Sequence, residues 1–125
     1  MKNSLKNRQE RINLLYTYYL SNWEWDLLKT TTDQLDESEL ETVKITLENI
    51  KKLENEINKH LKSDWKWERV GVLERAILLN AVAEIIIFNN KPDIVISEAN
   101  KIVKKYISDD KASKLITGIL NKIKM

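Results

Sequence analysis

Val70-Gly-Val-Leu-Glu-Arg-Ala-Ile-Leu-Leu-Asn-Ala-Val-Ala-Glu-Ile-Ile-Ile-Phe88 is the stretch that decides the fold. Its apolar residues run nearly all the way round a helix instead of along one stripe, so it predicts a helix buried on most sides, at the centre of a bundle. Glu74, Arg75, Asn80 and Glu84 interrupt it. No window of the chain supplies the ~18 uninterrupted apolar residues that a membrane-spanning helix needs. Downstream, Asn89-Asn90-Lys91-Pro92 stops the helix, because proline disfavours helical backbone in the residue before it. Ile94 to Tyr106 forms the next helix, with Lys101, Lys104 and Lys105 near its negative end. Asp109 or Asp110 then caps a last helix whose buried face is Leu115, Ile116, Ile119, Leu120 and Ile123. Gly118 lies within it at a cost of about 1 kcal/mol relative to alanine, which a close helix-to-helix approach would explain; a neutral local substitution is the alternative.

Upstream, Leu40, Val43, Leu47, Ile50, Leu53, Ile57 and Leu61 recur at three- and four-residue spacing. They predict one long amphipathic helix of six or seven turns, capped by Asp36 or Ser38. Leu5, Ile12, Tyr16 and Tyr19, with Leu15 beside them, share a face of a first helix. Asn22 to Thr32 reads as a short helix followed by a loop. With two glycines and one proline in 125 residues, little punctuates the chain, and the class is all-α in a single domain over residues 1–125. A chain of this length buries roughly two-thirds of its unfolded surface, enough for a core without staples.

Cysteine is absent, which excludes disulfides, thiolate metal sites and cysteine nucleophiles and is compatible with a reducing cytoplasm. The N-terminus lacks the apolar core and cleavage site of a signal peptide. The single histidine, His60, has lysines on either side and no neighbouring nucleophile or ligand set, so a solvated role is simplest. The acids between residues 33 and 56 read as caps and a wet helix face, and no phosphate-cradling glycine loop exists. No catalytic residue, metal or cofactor is expected.

The net charge of +2 is unevenly distributed. Lys2, Lys6, Arg8 and Arg11 stand against Glu10 at one end, and seven lysines stand against Asp109 and Asp110 from residue 101 onward. Residues 24–56 carry ten acids and four lysines. If folding joins the two basic ends, they form a surface for a polyanion; otherwise they are solvated helix backs. The pairs Trp23/Trp25 and Trp65/Trp67 fill cores and interfaces or stack on bases.

Several of these segments, taken in order, resemble the NusB family, helical RNA-binding factors of bacterial transcription. Leu5-Lys6-Asn7-Arg8-Gln9-Glu10-Arg11, leading to Leu15-Tyr16, is similar to the family's basic Arg-x-x-Ala-Arg-Glu start and following Leu-Tyr. Trp65 to Arg69 resembles its Trp-x-x-x-Arg, and Leu73-Glu-Arg-Ala-Ile-Leu78 with Glu84 its central helix. Pro92, then Ile96-Ser-Glu98-Ala99, resembles its proline and Ile-Asn-Glu-Ala, and Lys114 to Leu120 its Lys-Phe-Val-Asn-Gly-Val-Leu. Leu79 stands where arginine is usual, Ala83 where tyrosine is frequent, and Leu115 where the family carries phenylalanine.

The resemblance implies a compact two-bundle fold of about seven helices. It also implies a non-enzymatic, cytoplasmic adaptor that binds boxA-like ribosomal RNA together with a small ribosomal-subunit protein, NusE, and joins the RNA polymerase complex in antitermination. It places RNA contacts at Lys6, Arg8, Lys114 and Leu115; charge alone adds Lys2 and Arg11. Glu74 and Glu84 become candidates for the partner-protein surface, with a helix-capping role open for both. The alternative is a protein-interaction or self-association module, monomer or homodimer, that has lost RNA binding. No membrane partner is implied.

Overall fold

Residues 5–21, 37–61 and 70–124 are described by the computed structural model, without the side chains of Leu5, Lys6 and Ser21. Six helices carry them: α1 (Leu5–Ser21), α2 (Glu37–Glu48), α3 (Ile50–Asn58), α4 (Val72–Ile86), α5 (Pro92–Tyr106) and α6 (Asp110–Lys124). No strand occurs among the described residues. The expected short helix after Asn22, all four tryptophans, Asp36 and Lys2 lie outside them.

Helix α4 is the central rod that its all-round apolarity predicts. It packs against each of the other five helices. Every residue from Ala76 to Glu84 is buried, and Leu78, Leu79 and Val82 have no accessible surface. The chain leaves α4 through Asn89, whose φ of 56° is the left-handed conformation that asparagine tolerates better than most residues. Pro92 then opens α5 at the first helical position, where its missing N–H costs nothing. Asp109 caps α6 by accepting the Lys111 backbone N–H at 2.9 Å.

The long helix expected from Leu40 to Leu61 is two helices. It breaks at Asn49, where φ/ψ of −107°/15° leaves the α region. The Asn49 side-chain amide donates to the Ile45 carbonyl at 2.8 Å, and the Thr46 hydroxyl donates to the Thr42 carbonyl at 2.8 Å. Side chains that take up carbonyls of the preceding turn bend or interrupt the helical ladder. Apolar spacing survives the break because Val43, Leu53 and Ile57 remain buried on the same side of the bundle. Ser38 sits inside α2 and is not its cap.

Helix α1 is fixed by a polar cluster in the interior. Arg8 donates from Nε and Nη2 to the Glu84 carboxylate at 2.9–3.1 Å. Arg11 reaches three residues on two helices. Its Nη1 donates to Glu39 Oε1 at 2.9 Å, its Nε to Asn80 Oδ1 at 3.1 Å, and its Nη2 to Glu84 Oε2 at 3.5 Å. Asn80 passes the chain on by donating to Glu84 at 2.9 Å, and Asn90 donates to the same carboxylate at 2.9 Å. Arg8, Arg11, Glu39 and Glu84 are all at most 3% exposed. Two guanidiniums and two carboxylates balance, and ions taken out of water persist only when so paired.

A second tie joins α1 to α3 and α4. The Tyr19 hydroxyl donates to Glu54 at 2.7 Å, and the Arg75 guanidinium lies 5.6 Å from the Tyr19 ring centre. Burial, reinforced by the Glu54 carboxylate, pushes the Tyr19 hydroxyl far above the usual tyrosine range.

Two outcomes follow for stability. Arg11→Ala leaves Glu39 and Glu84 short of a counter-charge in the interior and costs about 3–5 kcal/mol, read as a fall in the urea midpoint. Tyr19 holds its proton more tightly folded than unfolded, so its contribution is present below the unfolded tyrosine value and lost as pH rises above it. Tyr19→Phe therefore costs about 1 kcal/mol at neutral pH and flattens the stability decline above pH ~10, measured by urea unfolding across that range.

Candidate nucleic-acid interface

Helix α6 turns one face to the core and the other to a groove. Ala112, Ile116, Ile119 and Leu120 point inward. Lys111, Leu115, Gly118 and Lys122 follow one another at spacings of four, three and four, which on a helix is a single stripe. Together with Lys114 and His60 they line a groove of about 420 Å³ between α6 and the turn that ends α3. That turn is fixed by the His60 N–H donating to the Ile57 carbonyl at 3.0 Å.

The electrostatics of this groove are one-sided. Three ammonium groups and an imidazole line it, and none of its described lining residues is acidic. Lys59, Lys101 and Lys124 are ion-paired with Glu56, Glu98 and Asp93. Lys111, Lys114 and Lys122 form no ion pair among the described residues. A concave surface of one sign concentrates counter-charge of the other, and mobile lysines over an apolar floor suit the phosphates of a polyanion.

The predicted site residues divide. Lys114 is exposed and Leu115 half-buried, both on the groove. Arg8 and Arg11, expected on an RNA-facing surface, are turned into the interior, because Glu84, Glu39 and Asn80 would otherwise be buried without donors. Lys2 and the side chain of Lys6 lie outside the described residues. Glu84, expected on a partner surface, is 1% exposed and accepts from Arg8, Arg11, Asn80 and Asn90. Glu74 is half-buried in the first turn of α4, its carboxylate folded against the N-cap Gly71; a Cβ on that glycine would meet Glu74 Oε2 at 1.9 Å.

Next to Glu74, Leu73 lines a second groove of about 390 Å³ with Ile12 and Tyr16 of α1 and Ile102 and Tyr106 of α5. Gln9, Glu10 and Asn13 form its polar edge. Tyr106 is 52% exposed, a large apolar side chain left on the surface with the Lys105 ammonium 5.3 Å from its ring centre. No group of three metal-ligating side chains occurs among the described residues. No described helix is long and apolar enough to cross a membrane.

Sequence reasoning missed His60, Lys111 and Lys122 as one surface. The spacing of 111, 115, 118 and 122 was available, but the partnering turn after α3 was not. It also missed Glu39, which reads as a first-turn acid suited to the helix dipole and is instead the interior partner of Arg11.

Comparison with known proteins agrees with this architecture. The model of the NusB family matches residues 3–125. A transcription antitermination protein NusB from a Nitratiruptor species is 38% identical, over 93% of this chain and 87% of its own. Another, from a Sulfurovum species, is 31% identical over 90% of each. A chain in the crystal structure of antitermination factors NusB and NusE with double-stranded RNA superposes with a TM-score of 0.80 at 28% identity, covering 96% of this chain and 94% of that one. A chain from the crystal structure of a plectonemic RNA supercoil gives 0.82 at 30% identity, covering 98% and 94%. With a family model running over almost all of its residues and relatives this similar along most of their length, the chain belongs to the NusB family.

Proposed function

We propose that this protein is an RNA-binding adaptor of bacterial transcription antitermination, a single domain over residues 1–125 that works in the cytoplasm and catalyses nothing. The observation that carries the RNA side is the groove of Lys111, Lys114 and Lys122 on α6, which has no acid among its described lining residues. Lys114 and Leu115 contact boxA-like RNA there, and Lys2 and Lys6 contribute from the N-terminus. Arg8 and Arg11 serve RNA binding indirectly, by fixing α1, the helix that carries Lys6. Two relatives that carry the antitermination name, and neighbours solved with RNA, support this reading.

The partner surface is the apolar groove between α1, α4 and α5, with Tyr106 exposed on it, and Glu74, next to Leu73 in sequence, is the acidic candidate carried with it. It takes a small ribosomal-subunit protein of the NusE type, and the pair joins the RNA polymerase complex. An apolar patch rimmed by polar groups is the usual mark of a protein contact. The same groove favours a second reading, a self-association module that has lost RNA binding, since both N-terminal arginines are held inside.

Titration with labelled boxA-like RNA at several salt concentrations separates the two. The adaptor shows log K falling by about 0.7 for each phosphate neutralised against log salt. Lys114→Ala lowers both affinity and that slope and leaves the thermal midpoint unchanged. Absent or salt-insensitive binding, with a dimer by light scattering, favours the self-association module.

A further inference from the structure

Gly118 has no structural reason to be glycine. Its backbone is helical, it is exposed, and a Cβ built on it meets nothing within 4 Å. The close helix-to-helix approach that its sequence position suggests is therefore absent. Glycine inside a helix is intrinsically unfavourable, and nothing in the packing offsets that here. What surrounds it is the lysine groove: Gly118 lines it on the stripe between Leu115 and Lys122, and Lys111, Lys114 and, from the turn after α3, His60 line it too. A missing side chain at that point opens the floor and lets a ligand approach the helix backbone between the cationic walls.

We infer that Gly118 is a ligand-seating residue, kept so that a phosphodiester of single-stranded RNA settles into the groove between His60 and Lys122. The inference rests on the RNA-binding reading above and adds the point at which the strand sits. The chemistry is that of an anion over an apolar floor: Lys111, Lys114 and Lys122 supply charge, and Leu115 and Ile119 exclude water from the base of the groove. The third cationic residue, Lys122, lies one helical turn beyond Gly118, so a strand passing Lys114 has to cross the glycine to reach it.

The test uses the full chain with Gly118→Ala and Gly118→Leu. Both replacements favour helix and enter open space, so the thermal midpoint rises by about 2–4 °C. Affinity for labelled single-stranded boxA-like RNA falls in the order Gly, Ala, Leu, on the order of tenfold for leucine, and the salt slope drops by about 0.7 as one phosphate contact is lost. Lys122→Ala in the Gly118→Leu background adds little further loss, because both changes remove the same contact. A leucine variant that is more stable and binds RNA with unchanged affinity and slope overturns the inference and leaves the RNA-binding reading standing. Wild-type protein without salt-dependent RNA binding overturns both. If inorganic phosphate alone shifts the Gly118 amide resonance while RNA does not, the groove belongs to a free anion and the RNA assignment fails.

Discussion

The buried carboxylate of Glu84 is the constraint around which this bundle is arranged. It lies on the central helix with 1% exposure, where an uncompensated charge would be intolerable. Four donors from three segments answer it: Arg8 and Arg11 on α1, Asn80 one turn back on α4, and Asn90 in the turn beyond. Arg11 extends the cluster to Glu39 and so brings α2 into the same network. Apolar burial alone would let α1 slide along the rod. A hydrogen-bonded ion cluster admits one register, at the cost of desolvating every member. Leu79, which stands where the family usually has arginine, is fully buried, and the described interior cations come from α1.

This use of arginine divides the basic residues into two populations. Guanidinium, planar and able to satisfy several acceptors at once, goes inside, where geometry is fixed. Lysine, a hydrated point charge on a flexible stem, stays outside along α6 at Lys111, Lys114 and Lys122. The two ends of the chain therefore do not contribute alike. At the described N-terminal positions, cationic character is structural. At the C-terminal ones it is available to a ligand. The apolar groove beside Glu74 is a third surface, on the side of the rod that α1 and α5 leave open.

Much of this was readable from the residues. The all-round apolarity of Val70 to Phe88 marked the rod, Pro92 the break after it, and Asp109 or Asp110 the cap of α6, because each depends on local chemistry that spacing or side-chain type displays. The break at Asn49 was not readable, since the apolar period continues through it and only the Asn49 backbone, beside its side-chain bond to the Ile45 carbonyl, leaves the α region. Gly118 gave a signal whose first explanation was wrong: the residue type marked something unusual, and only the empty space above it showed that packing was not the cause.

Sequence by itself determined the helical class, the buried rod and the uneven charge, because composition and periodicity are properties of the chain; the family came from the resemblance of its motifs. It could not determine which cations face solvent. Arg8 and Lys114 look equally basic on the page, and the interior carboxylate of Glu84 that claims both arginines stands 76 positions from Arg8 and 73 from Arg11 along the chain. Burial of a charge is decided by what the fold brings against it, and only tertiary structure brings Glu84 to α1 and leaves Lys111, Lys114 and Lys122 without an acid partner among the described residues.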